Sequence, residues 1–142
     1  MFNIEECVAY ISSQTAKTIE YRIESKMKDL PITRVQYLAL HHLKTHKDLT
    51  QKDLVSHMNL KEASVARLLD RMEEQDLVKR CVSLNDRRVH TIAISVKGDY
   101  LETHVNILME QFEKCATQGI SEEELEIYFA VMTKILENIK DY

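Results

Sequence analysis

The sequence predicts a mainly α-helical protein with one small β-hairpin. Only two glycines and one proline interrupt 142 residues, and a chain so poor in helix breakers favours long helices over a many-stranded sheet. Residues 60–98 add a helix pattern followed by two short β-rich runs around a polar turn, Asn85-Asp86-Arg87-Arg88. With 44% hydrophobic and 30% charged residues, the chain predicts a single folded domain, residues 1–142, with one core.

The first two predicted helices surround a break at Pro31. From about residue 4 to 28, apolar side chains recur at steps of three or four, as on an amphipathic helix. Thr33 can cap the second helix, which we expect to run to about residue 44. Its buried face is expected to carry Val35 and Leu38, with His41 or His42.

A helix, a short turn and a second helix follow in residues 50–75. Thr50 and Asp53 have the spacing of a capping box, with Asp in place of the usual Glu. Asn59 tolerates the left-handed backbone of a tight turn. The helix after it carries an apolar stripe for one buried side: Val65, Leu68, Leu69 and Met72.

The rest of the chain reads as a hairpin and two more helices. Strands are predicted over 77–82 and 89–94. Ser95 can cap a helix of about 96–117 that ends near Gly119, and its stripe is expected to include Cys115 as a core residue. Ser121 and Glu124 form a full capping box for the last helix.

The net charge of −4 is unevenly distributed. Residues 1–60 carry a net +1, residues 61–97 a net +2 and residues 98–142 a net −7. Because affinity for phosphate depends on where the charge lies, the acidic total does not exclude a nucleic-acid ligand.

Other function classes lack their signatures. No run of about 18 apolar residues predicts a membrane span, and the start of the chain lacks the basic region of a secretory signal. Three scattered cysteines without a CxxC fit a reducing cytoplasm. No nucleophile elbow, HExxH or P-loop is present, so we expect neither an enzyme nor a bound cofactor.

A helix beside a hairpin with arginines at its tip can read a DNA groove and clamp the backbone. We therefore predict a winged helix-turn-helix lobe over 32–96, which binds double-stranded DNA. Such a lobe cannot cover the apolar faces of both chain ends. Residues 1–28 and 98–142 are accordingly predicted to form a helical dimerisation region between two copies.

These residues, in this order, resemble the MarR family of bacterial transcriptional regulators. The similarity comprises Ile32-Thr33 with Gln36, Leu49-Thr50 with Asp53-Leu54-Val55, Ala63–Glu73, Leu77-Val78-Lys79-Arg80, Asp86-Arg87-Arg88, and Ile94-Ser95 with Gly98. Two positions depart from the family pattern. Asp76 stands where glycine is usual, and Lys61 opens the recognition helix where Ser, Thr or Asp is common.

Base reading is assigned to the helix after Asn59. Ser64 and Arg67 are expected to contact base edges, with Ala66 available to a thymine methyl group. Arg71 is a further candidate. The alternative is that both arginines only pair with neighbouring acids of the same helix, Glu62, Asp70 or Glu74.

Backbone contacts are assigned to the wing and to helix starts. The resemblance implies that Arg88 enters the minor groove, that Asp86 orients it and that Arg87 contacts phosphate. Further phosphate contacts are predicted at helix N-termini: Thr50, Gln51, Lys52 and Lys61.

The resemblance also implies that a small phenolic or lipophilic molecule, or an oxidant, regulates DNA binding. A cleft is expected from Tyr21, Tyr37, His41 and Tyr100. Cys7 is a redox candidate, although its place beside the apolar stripe favours a small buried hydrophobe. No metal site is expected, because adjacent His41 and His42 point about 100° apart and four ligands are hard to assemble.

The sequence thus predicts a homodimeric, sequence-specific DNA-binding regulator, acting as a repressor on a pseudo-palindromic operator. The alternative is a winged-helix module that binds protein partners without specific DNA binding.

Overall fold

In the part of the chain that the structure describes, eight regular elements follow a short 3₁₀ turn at Ile4–Glu6. The structure, a computed structural model, describes residues 2–83 and 88–142. The helices are α1 (Val8–Met27), α2 (Arg34–Thr45), α3 (Gln51–Met58) and α4 (Glu62–Glu74), and after the hairpin α5 (Val96–Ala116) and α6 (Glu122–Ile139). The strands are β1 (Val78–Val82) and β2 (His90–Ile94). The mainly α fold with a β-hairpin is confirmed.

The chain divides into two compact units, residues 1–109 and 110–142. The first unit contains the core, whose largest fully buried side chains come from α2, α3, α4, the residue before β1, β1 itself and the first half of α5: Leu40, Leu54, Leu69, Met72, Leu77, Val65, Val78 and Val105. The second unit contains the end of α5 and all of α6.

Capping follows the local chemistry that the sequence predicts. Thr33 with Gln36, Thr50 with Asp53, and Ser121 with Glu124 each form a reciprocal capping box. In the box that opens α3, the Thr50 N–H and hydroxyl both donate to Asp53, so the pKa of this carboxyl lies below its usual value.

The hairpin is antiparallel, and its register pairs Val78 with Ile94 and Val82 with His90. The N–H of Ile92 donates to the Leu49 carbonyl (2.8 Å), which attaches β2 to the start of α3. At the base of the hairpin, a Cβ on Gly98 would collide with the Leu77 carbonyl oxygen. A glycine is therefore required where α5 leaves the sheet.

Three details of the sequence prediction are wrong. The first helix begins at Val8 rather than near residue 4, because Asn3 caps a separate 3₁₀ turn. On α2 the buried side is Gln36, Tyr37, Leu40 and Leu43, whereas Val35 and Leu38 are only half-buried. Cys115 is exposed in this chain rather than in a core.

Candidate nucleic-acid interface

Helices α3 and α4 form the predicted helix-turn-helix. Asn59 ends α3 in the left-handed conformation (φ 50°), and its N–H donates to carbonyls of the last turn. Lys61 then precedes α4 as its N-cap residue without a side-chain capping bond. The first turn of α4 therefore retains donors that can meet an anion.

The two sides of α4 differ in solvent exposure. Its stripe of Val65, Leu68, Leu69 and Met72 is buried, as the sequence predicts. The opposite side exposes a concavity of about 450 Å³, lined by Ser64, Arg67, Asp70 and Arg71. Ala66, the predicted thymine contact, is half-buried at the margin of this surface.

Arg80 of β1 binds two of the acidic side chains of α4. Its guanidinium lies 2.6 Å from Asp70 Oδ1 and 2.7 Å from Glu73 Oε2. The Arg80 N–H and guanidinium together hold the pKa of Glu73 below its usual value. The carboxylate of Asp70 is thus paired with a residue of β1 and not with an arginine of its own helix.

Arg67 and Arg71 are left without an acidic partner. Within residues 2–83 and 88–142 neither arginine forms an ion pair, and both side chains are exposed. The alternative that these arginines merely pair along their own helix therefore finds no support. A cationic, exposed face on a helix of this kind suits phosphates and base edges.

The predicted phosphate contacts differ in availability. Lys52 and Lys61 are exposed and Gln51 is half-buried. Thr50 is different, because both its hydroxyl and its N–H already donate to Asp53 (2.7 and 2.8 Å). We assign Thr50 a capping role.

The wing is described up to Ser83 and again from Arg88. The Ser83 N–H donates to the Val89 carbonyl (2.8 Å) and closes the described part of the hairpin. Arg88 lies in a turn and is exposed. Asp86 and Arg87, predicted as its support and as a phosphate contact, lie outside the described residues.

The four residues predicted to line an effector cleft do not share one environment. Tyr37 is buried and its hydroxyl donates to Asn106 (3.1 Å), and the neighbouring His41 ring contacts Glu102 (3.0 Å). Tyr21 and Tyr100 are 66% and 65% exposed, so their side chains extend into solvent. The structure thus brings together two of the four.

A cavity of about 440 Å³ lies elsewhere in the first unit. It is bounded by the end of α1, the α1–α2 loop, the start of α2 and the residue after α4, and its lining includes Met27, Pro31, Gln36 and Gln75. The Gln36 amide donates to Gln75 Oε1 (2.6 Å). This hydrogen bond connects the cavity wall to the C-cap of α4.

The cysteines have no disulfide partners. Cys7 is half-buried as the N-cap residue of α1, so it is neither in the core nor fully exposed. Cys81 is exposed on β1.

Sequence reasoning missed three contacts. One is the role of Arg80, whose two partners precede it by ten and seven residues. The second is the buried Glu102, which binds Lys44 at 2.7 Å beside His41 and raises the pKa of that ammonium group. The third is a group of histidines: His42 in α2, His46 directly after α2, and His57 in α3.

Comparison with known proteins identifies the class. The chain is similar to the MepR–DNA complex of S. aureus, with 25% identity and a TM-score of 0.88 over 95% of this chain and 98% of that one. It is also similar to the transcriptional regulator PA3341, with 26% identity and a TM-score of 0.86 over 96% and 100% of the two chains. The fold and the arginine-bearing helix define a winged-helix transcription regulator.

Residues 32–90 match the model of the MarR family. A MarR/EmrR family regulator from Acinetobacter sp. ADP1, at 16% identity, has the same fold with a TM-score of 0.90, over 99% of this chain and 100% of that one. The family match thus covers the winged-helix lobe, and over the rest of the chain the similarity to these regulators is one of fold. Across residues 2–83 and 88–142, we find no helix with the length and hydrophobicity needed to cross a bilayer.

Proposed function

We propose that the protein is a homodimeric, sequence-specific DNA-binding repressor. The observation that carries this proposal is the exposed side of α4, where Arg67 and Arg71 remain available because Arg80 binds Asp70. The S. aureus MepR, which shares the fold, has been solved in a complex with DNA. These two facts support placing α4 in the major groove.

Each contact then has a distinct task. Ser64 and Arg67 read base edges, while Lys52, Lys61 and the first turn of α4 position the protein on phosphates. Arg88 enters the flanking minor groove, where a narrow groove concentrates negative potential. Two-fold symmetry requires a pseudo-palindromic operator with half-sites about 34 Å apart.

Dimerisation is proposed through the apolar side chains that this chain leaves uncovered. The described residues of α6 include none that is buried, and large apolar residues of this helix are exposed: Ile127, Tyr128, Phe129, Val131, Leu136 and Ile139. A monomer rarely leaves so continuous an apolar surface in water. A second copy covers it with the same surface.

Release from DNA is proposed through the cavity that ends at Gln75. A small phenolic or lipophilic occupant would contact both Met27 of α1 and Gln36, whose amide holds Gln75 at the end of α4. Breaking the hydrogen bond between Gln36 and Gln75 would change the position of the C-terminal end of α4. Oxidation at Cys7 is the second proposed signal, since this thiol is half-buried at the start of α1.

The test begins with selection of bound duplexes from a random pool, followed by titration of the selected site. Arg67→Ala should lower affinity by about 1–3 kcal/mol and relax specificity at one position of each half-site. Arg22→Ala is the matched control, because Arg22 is an exposed arginine of α1 with no ion pair to a described residue. It should bind like the unaltered protein.

Salt dependence separates this proposal from the protein-interaction alternative. Binding through several phosphates should weaken steeply between low and physiological salt. A pool without sequence selection, together with a flat salt dependence, would eliminate the repressor and favour a protein partner.

A further inference from the structure

Three histidines meet where the end of α2 packs against the end of α3. His42 and His46 are one helical turn apart, and His57 belongs to α3. The His57 ring centroid lies 4.5 Å from that of His46 and 5.2 Å from that of His42. One ring nitrogen from each residue lies within 4.8 Å of the others.

Hydrogen bonding prepares one of these rings as a ligand. His46 Nδ1 lies 3.1 Å from the His42 carbonyl oxygen and 3.0 Å from the Thr45 hydroxyl, and in the tautomer with the proton on Nδ1 it donates to this carbonyl. The Nε2 atom of His46 then holds the free lone pair. A histidine that binds a metal through one ring nitrogen usually donates its other ring N–H to an acceptor such as a backbone carbonyl.

Ion pairs to acidic side chains do not occupy the cluster in the described part of the chain. Among the described residues, no carboxylate forms an ion pair with His42, His46 or His57. Asp53, one turn before His57, is held by Thr50.

We propose that His42, His46 and His57 bind one divalent transition-metal ion of the Zn²⁺ class, with water completing the coordination. Neutral imidazoles suit Zn²⁺, Cu²⁺ and Ni²⁺ and exclude Mg²⁺ and Ca²⁺, which need oxygen ligands. Zn–N bonds of about 2.0–2.1 Å place ligand nitrogens about 3.3 Å apart in a tetrahedron. His46 and His57 are exposed, so side-chain rotation can close the remaining gap.

The site differs in place and task from the DNA-reading surface. It joins the C-terminal ends of α2 and α3, and α3 is followed by the Asn59 turn into α4. An ion held from both helices binds only the folded lobe, and therefore stabilises it by mass action. An ion at this site thus holds the ends of α2 and α3 together, which positions the helix-turn-helix. It takes no part in base recognition.

The experiment titrates Zn²⁺ into the untagged full chain by calorimetry. We expect one ion per chain, and a rise in Tm that EDTA reverses. His46→Asn and His57→Asn should each weaken Zn²⁺ affinity about a hundredfold, since loss of an outer-shell partner alone costs about 10–100-fold. His104→Asn, an exposed histidine of α5, is the matched control and should bind like the unaltered protein.

Co²⁺ supplies a readout that needs no variant. Binding at the cluster should give ligand-field bands of a nitrogen–oxygen site without thiolate charge-transfer absorption. A thiolate band would assign the ion to Cys7, Cys81 or Cys115 and overturn the proposal. The absence of stoichiometric Zn²⁺ binding, or equal effects of His104→Asn and His57→Asn, would overturn it as well.

Discussion

Helices α4 and α6 carry the same kind of amphipathic pattern, but only α4 buries its apolar side within the chain. In α4, Val65, Leu69 and Met72 are each 0% exposed, whereas in α6 Ile127, Phe129 and Leu136 are 57%, 58% and 63% exposed. A periodic apolar pattern therefore predicts that a helix packs against another surface. It does not report whether that surface belongs to the same chain.

The largest effect is expected in the α4 core. Leu69→Ala should lower the free energy of unfolding by about 2–5 kcal/mol, because it leaves a cavity among side chains that have little room to collapse. Urea denaturation measures this loss. A loss of unfolding free energy below about 1 kcal/mol would contradict the close packing of Leu69 in the core.

The matching change in α6 should act on assembly. Phe129→Ser should weaken the proposed dimer by about 2 kcal/mol or more, because a large aromatic group leaves the contact. Sedimentation equilibrium measures it, with Glu126→Ser on the same helix as control. If Phe129→Ser leaves the association constant unchanged, another surface forms the dimer.

Two glycines extend the comparison to the backbone. Gly98→Ala in the lobe should cost about 1–3 kcal/mol, since the new Cβ strikes the Leu77 carbonyl oxygen. Gly119→Ala in the second unit meets open space and should cost only about 1 kcal/mol, from its positive φ of 81°. Thermal unfolding of both variants should preserve that order, and the reverse order would contradict the close packing at Gly98.

The smallest expected effect is a difference in pH response. The folded lobe holds the pKa of His42 below 6.5, so its stabilisation is complete above pH 6.5 and declines as the pH falls further. In α6 the Ser121 N–H and hydroxyl hold the pKa of Glu124 below 4.5, and that stabilisation declines only below pH 4.5.

Hydrogen exchange of backbone amides, measured between pH 7 and pH 5, distinguishes the pH range of the His42 effect from that of the Glu124 effect. Protection should fall in α2 and α3 before it falls in α6. His57→Asn should reduce the lobe's response, because it removes one of the charges that face His42. A uniform loss across both units would contradict the assignment.

The sequence predicts best what neighbouring residues decide. Two capping boxes, the N-cap at Thr33, the left-handed Asn59 and the stripe of α4 all depend on residues a few positions apart, and all are confirmed. Asp76, which stands where the family usually has glycine, adopts the left-handed backbone (φ 57°) that glycine favours.

Features that depend on tertiary partners could not be predicted. Gln36 is buried because its amide bonds both Thr33 and Gln75, whereas periodicity favoured apolar Val35 and Leu38. The histidine group was missed for the same reason, since His57 reaches His46 only after the chain turns between α2 and α3. Likewise, no local pattern connects Arg80 to Asp70.

The ion pairs of Arg80 also have a kinetic consequence. Charges act on an approaching polyanion over about one Debye length, roughly 8 Å at physiological salt. Arg80 offsets one of the two negative charges of Asp70 and Glu73, beside the exposed Arg67 and Arg71. If the protein binds an operator as proposed, a duplex of any sequence is attracted first, and the search begins with frequent, brief encounters that do not depend on sequence.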